Sequence, residues 1–147
     1  MSYPKFYLYH RIVRAKMFID EHFAEDIDID NIADEASFSK YHFIRTFKTI
    51  YGITPRKYLI SKRVDKAQEM LKAGSTVTET CFKVGFQSLT TFSGLFKKNV
   101  GMKPLQFQKK QKALKKDMIE KPFHFVPACF VHQNGWIEKS NFQEVLE

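Results

Sequence analysis

The stretch Ser39–Pro55, SKYHFIRTFKTIYGITP, decides the fold. Phe43, Phe47 and Ile50 stand at i, i+4 and i+7, so one side of a helix carries an apolar stripe facing a core. Tyr41, Ile44, Arg45 and Lys48 stand at i, i+3, i+4 and i+7 and form a second stripe, mixed and partly basic. Ser39 is placed to cap the first turn, and Gly52 to supply the left-handed residue that stops the helix. Thr54-Pro55 then reads as a cap followed by proline at the first position of another helix.

The pattern returns 49 residues further on: Phe43 maps to Phe92, Phe47 to Phe96, Lys48 to Lys97, Gly52 to Gly101 and Pro55 to Pro104. The mixed stripe maps to Thr90, Ser93, Gly94 and Lys97. A repeat of this length marks a duplicated supersecondary unit, and two copies fit a tandem motif better than a solenoid.

Outward from the repeat, the chain before Ser39 reads as two helices. From Pro4 to Phe23, Ile12, Ala15, Ile19 and Phe23 share a face, with Arg11, Arg14 and Lys16 elsewhere, solvated or near a phosphate. The segment AEDIDIDNIADE is acidic; Asp28 can cap a short helix in which Ile29, Ile32, Ala33 and Ala36 are the apolar positions. Its charge repels nucleic acid, which predicts a basic surface on the opposite side. A short helix, a tight turn and a second helix make a helix-turn-helix unit. A longer helix from Pro55 offers Tyr58, Leu59, Val64, Ala67, Met70 and Leu71 for packing, is basic at Arg56, Lys57, Lys62, Arg63 and Lys66, and stops at Gly74. The second unit starts at Thr76, where Thr-Val-Thr-Glu79 is a capping box. Gly85 maps to Ser37 at an offset of 48, so the second turn holds one more residue. The expected class is all-α: unit one about 4–54, a linking helix about 55–73 and unit two about 75–116 within a domain 1–116. Residues 117–147 form a tail. There the aromatic run from Pro122, with Asn134-Gly135, predicts a small β-hairpin, and Ser140–Leu146 reads as one or two helical turns.

The bulk numbers set bounds. A chain of 147 residues holds one ordinary core or two small subdomains, and 15 Phe make that core aromatic. With 24 Lys and Arg against 16 Asp and Glu the net charge is +8, which favours a polyanionic partner or an acidic membrane surface. Two cysteines, Cys81 and Cys129, build no disulfide framework; Cys81 falls in a helical pattern as a small apolar residue. No apolar run reaches membrane-spanning length and the first residues carry charges, so a reducing cytoplasm is expected, with no membrane partner.

The two units resemble the paired helix-turn-helix DNA-binding domain of AraC-type bacterial transcription regulators. The residues that carry the resemblance are Gly85-Phe86, Phe92, Phe96-Lys97-Lys98, Gly101, Pro104 and Phe107, while SKYHFIRTFK in the first unit is similar to the small stand-alone members of the MarA and SoxS type. The resemblance covers about Ile12 to Lys112. Thr80 stands where that family usually has an apolar residue, Lys103 replaces a capping Ser or Thr, and Gly94 stands where Arg is common. The resemblance implies sequence-specific binding of double-stranded DNA at promoters, transcription regulation with RNA polymerase as a further partner, and no cofactor or catalytic residue.

A helix in the major groove meets base edges that distinguish all four pairs. Arg45 is expected to read a guanine through O6 and N7, with Tyr41 and Ile44 touching thymine methyls; the alternative for Arg45 is a surface ion pair with the acidic segment. In the second unit Gln87, Leu89, Thr90 and Ser93 are the candidates for base contact, chemically poorer because they bring short groups and little charge. The first unit is therefore expected to specify the sequence and the second mainly to position. Lys40, Lys48, Lys57, Lys97 and Lys98 are the phosphate candidates, and the Lys109–Lys116 run is one too unless it is a solvated face. Because both heads lie on one chain, a monomer suffices for a non-palindromic site.

The rival readings use the tail. His124, Cys129 and His132 are three of the four ligands that a structural zinc site takes, which favours packing or solvated side chains over metal. Alkyl-transfer repair proteins share this DNA-binding domain and use a cysteine in a Pro-Cys-His-Arg setting, which Pro127-Ala-Cys129-Phe-Val-His132 does not match. A tail that senses a ligand or metal, or holds a partner protein, is the alternative.

Overall fold

The computed structural model describes residues 3–36 and 39–125. Along them run α1 (Tyr3–His22), α2 (Ile29–Glu35), α3 (Lys40–Tyr51), α4 (Pro55–Lys72), α5 (Val77–Lys83), α6 (Leu89–Val100), α7 (Pro104–Glu120) and a 3₁₀ turn (Pro122–Phe125), with no strand among the described residues. The all-α expectation holds across these. The hairpin expected at Asn134-Gly135 and the helical turns at 140–146 lie outside the described residues. The chain divides into two compact units, Met1–Pro104 and Leu105–Glu147.

The helix boundaries follow local chemistry. Ser39 Oγ accepts from the His42 amide at 3.4 Å, Thr54 Oγ1 from Lys57 at 3.3 Å, Thr76 Oγ1 from Glu79 at 3.2 Å and Ser88 Oγ from Thr91 at 3.3 Å. Asp28 caps α2 by accepting from the Asp30 amide at 2.6 Å. Each cap satisfies a donor that the first helical turn leaves open. At the other end of the two equivalent helices, Gly52 (φ 79°) and Gly101 (φ 92°) turn the chain left-handed. The repeat is thus structural: α3 and α6 are both 12 residues long and begin 49 residues apart.

Within Met1–Pro104, α1, α2 and α3 pack on one another, α5 and α6 pack on each other, and α4 packs against helices of both groups. The first core joins Ile12, Ala15 and Ile19 of α1, Ile32 and Ala33 of α2, Ala36 beyond it, Phe43 and Phe47 of α3, and Leu59 of α4. Around the second group Val64, Ala67, Leu71, Cys81, Val84, Phe86, Phe92 and Phe96 are buried. The rings of Phe43 and Phe47 lie 5.8 Å apart and those of Phe92 and Phe96 5.7 Å apart, within the range where tilted aromatic pairs attract. Deleting one such ring costs about 3–5 kcal/mol, a large part of a small domain's stability.

A polar link ties α1 to α4. Asp20 accepts from Tyr58 Oη at 2.5 Å, Lys16 Nζ at 2.8 Å and Lys62 Nζ at 3.1 Å. Burial pushes the Asp20 carboxyl up, and the three donors together outweigh it, leaving the group below its ordinary value. Lys16, expected to be solvated or near a phosphate, is instead committed to this link because Asp20 stands one helical turn away.

Candidate nucleic-acid interface

A reading helix needs one side buried, to hold it still, and the opposite side free. In α3 the first requirement is met by Phe43 and Phe47, both fully buried. On the other side Tyr41 is 82% exposed, and Arg45 and Lys48 are exposed with it. The acidic segment finds a different partner: Lys40 Nζ lies 3.0 Å from Asp30, and among the described residues Arg45 forms no ion pair. The pair raises the Lys40 ammonium above its ordinary value, through the hydrogen bond with Asp30 first and its charge second. The acidic segment and the first residue of α3 thus meet at this pair.

Ile44 divides its allegiance. It is half-buried and packs on the first core, and it also lines a surface hollow with Asp28, Lys40, Thr54 and Arg56. Lys57, in the first turn of α4, is exposed. The structure thus brings Tyr41, Arg45 and Lys48 onto one free surface, with Ile44 at its edge.

On α6, Phe92 and Phe96 are buried and Leu89, Thr90, Gly94, Lys97 and Lys98 are exposed; Ser93 is half-buried. Gln87 is exposed in the turn before it. Gly94 has nothing within 4 Å of where a Cβ would stand, so it presents open backbone to solvent. This surface has the layout of α3 with smaller groups. The lysines of α7 at positions 109, 110, 112, 115 and 116 are exposed as well.

Three residues that matter here are not evident from stripe counting. Thr80 is fully buried and its hydroxyl finds no partner among the described residues. Arg63, counted with the basic side of the linking helix, is half-buried and bonded to backbone; its spacing of four from both Leu59 and Ala67 is the signal that places it on the packed side. Gly85 has φ 100° and lies against the backbone of residues 23 and 24. Cys81 is buried, and burial pushes its thiol up, which disfavours the thiolate that a nucleophile needs. Among the described residues no three His, Cys, Asp or Glu side chains gather as a metal site, and no helix is long and apolar enough to cross a membrane. His124 sits in the 3₁₀ turn; Cys129 and His132 lie outside the described residues.

Comparison with known proteins agrees with this architecture. A family profile described as a helix-turn-helix domain matches residues 32–110. An uncharacterised HTH-type transcriptional regulator of Pseudoalteromonas carrageenovora is 31% identical over 98 residues, covering 67% of this chain and 58% of that one. The bifunctional transcriptional activator/DNA repair enzyme AdaA of Bacillus subtilis is 33% identical over 96 residues, covering 65% and 46%. The chain thus spans less than two thirds of the length of these relatives. Among solved structures, the DNA-binding domain of the transcription factor AdpA in complex with a target DNA superposes with a TM-score of 0.68 at 27% identity, covering 71% of this chain and 96% of that one. With the family profile across both units and α3 and α6 in equivalent places, the chain belongs to the AraC-type helix-turn-helix family of DNA-binding transcription regulators.

Proposed function

We propose that this chain binds double-stranded DNA at promoter sites as a monomer, with α3 in one major groove and α6 in the next, and so regulates transcription by RNA polymerase in the cytoplasm. The observation that carries this reading is the pair of equivalent helices, each pinned by two buried phenylalanines and each free on the opposite side. Arg45 reads a guanine through a bidentate contact, and Tyr41 and Ile44 press on neighbouring thymine methyls. Gln87, Leu89, Thr90 and Ser93 make the poorer second contact. Lys40, Lys48, Lys57, Lys97 and Lys98 meet phosphates, and Lys40 must leave Asp30 to do so. That exchange costs little, since both partners of the exposed pair are already hydrated.

The linking helix sets the spacing. Its 18 residues, at about 1.5 Å each, give about 27 Å against about 34 Å between successive major grooves. A modest bend of the DNA toward the protein, at a few kcal/mol, makes up the difference. Selection of sites from random duplexes, repeated with Arg45→Ala, tests the reading. The expected result is a two-part site in which the variant loses preference at one base pair. Loss of affinity for all sequences alike would make Arg45 a phosphate contact.

A further inference from the structure

Both groups of helices pack on α4, and the residues between them make a direct contact besides. Arg63 leaves α4 midway between Leu59, which belongs to the first core, and Ala67, buried beside the second group. Its Nε donates to the Phe23 carbonyl at 2.6 Å and its Nη2 to the Glu25 carbonyl at 2.9 Å. Both carbonyls lie just past the end of α1, where a cation is favoured; the Glu25 carbonyl also accepts from the Ile27 amide at 2.9 Å. The other side of the same guanidinium lies over the Phe86 ring, 5.5 Å from its centroid, in the turn between α5 and α6. Beside it Gly85 comes so close that a Cβ would stand 2.9 Å from the Ala24 carbonyl oxygen and 3.0 Å from that of Phe23. Next to this contact the groups part and leave an open cleft of about 520 Å³ bordered by Asp26, Asp28, Arg56, Gln87 and Ser88.

We propose that Arg63, with Gly85, is a positioning clasp that fixes the second helix-turn-helix unit against rotation about α4 and so sets the base-pair spacing at which both heads engage DNA. This deepens the reading above and rests on it for its DNA consequence, while the clasp itself is a property of the free protein. A flexible joint makes the second head bind almost independently, and the gain from linking two heads falls. A fixed joint concentrates that gain at one spacing, because each inserted base pair turns the second half-site by about a tenth of a helical turn.

The test has one part without DNA and one with it. Arg63→Lys keeps the charge and the stem but loses the planar fork that spans two carbonyls. In the DNA-free protein, amide exchange at Glu25, Ile27 and Phe86 is expected to rise about ten-fold in this variant while Phe43 and Phe92 stay unchanged; unchanged rates at all five overturn the clasp. With the selected site, the wild type is expected to lose about ten-fold or more in affinity on insertion or deletion of one base pair between the half-sites. Arg63→Lys is expected to flatten that dependence to within about three-fold and to leave binding to the isolated first half-site unchanged. Wild-type tolerance of altered spacing, or equal losses on full and half-sites in the variant, overturns the proposal. If the wild type selects no two-part site, the DNA reading fails, and the exchange data still decide the clasp.

Discussion

Single side chains divide into those that are free and those committed to a partner. Arg45 is exposed with no ion pair among the described residues, so its replacement by alanine should cost about 1–3 kcal/mol at one base pair and leave the fold intact, as read by competition binding against singly substituted duplexes. Thr80 is the opposite case, a fully buried hydroxyl with no partner among the described residues. Thr80→Val keeps the shape and removes the unmatched polar group, and should stabilise by about 1 kcal/mol, visible as a thermal midpoint higher by a few degrees. Asp20 is held below its ordinary pKa of 3.8 by Lys16, Tyr58 and Lys62 against the opposing effect of burial. Its contribution is therefore complete above that value and is lost as pH falls through the lower folded one. Denaturation of wild type and Asp20→Asn should differ by a constant amount from about pH 5 to pH 8 and converge in more acid solution. The buried stripes were legible in the sequence down to individual phenylalanines, because helical spacing alone dictates them. The fates of Lys16, Lys40 and Arg63 were not, since charge says nothing about which neighbour a long side chain reaches.

At the scale of elements, α3 and α6 share length, caps, buried rings and terminal glycine while differing on their free surfaces. The starts of α2 to α5 and the ends of α3, α4 and α6 could be read from Asp, Ser, Thr, Pro and Gly, because capping is local chemistry and needs no tertiary information. What surrounds α3 could not: Asp30 of the acidic α2 pairs with Lys40 at its start, a contact that composition does not place. The asymmetry of the two heads yields a prediction for α6. Gly94→Ala should stabilise the helix by about 0.5–1 kcal/mol, since the position is open to solvent and glycine is a poor helix former. If α6 mainly approaches the DNA backbone there, the same change lowers affinity uniformly across sequences. A changed base preference would assign α6 a reading role equal to that of α3.

At the scale of the whole molecule, α4 joins two reading heads on one chain, and the net charge of +8 supplies general attraction to a polyanion. Affinity should accordingly fall with salt, with a slope of log K against log salt close to the number of phosphates met, about 0.9 per contact. Lys48→Ala or Lys97→Ala should each lower that slope by about one and leave base preference alone. The central claim is that one copy of the chain occupies two successive major grooves on one side of the duplex. Guanine N7 protection, mapped along a selected site at a measured protein-to-DNA ratio, tests it most directly. Two protected patches about one helical turn apart, both complete at one chain per duplex, are expected, whereas a single patch, or a second appearing only at two chains per duplex, would rule this mode of binding out.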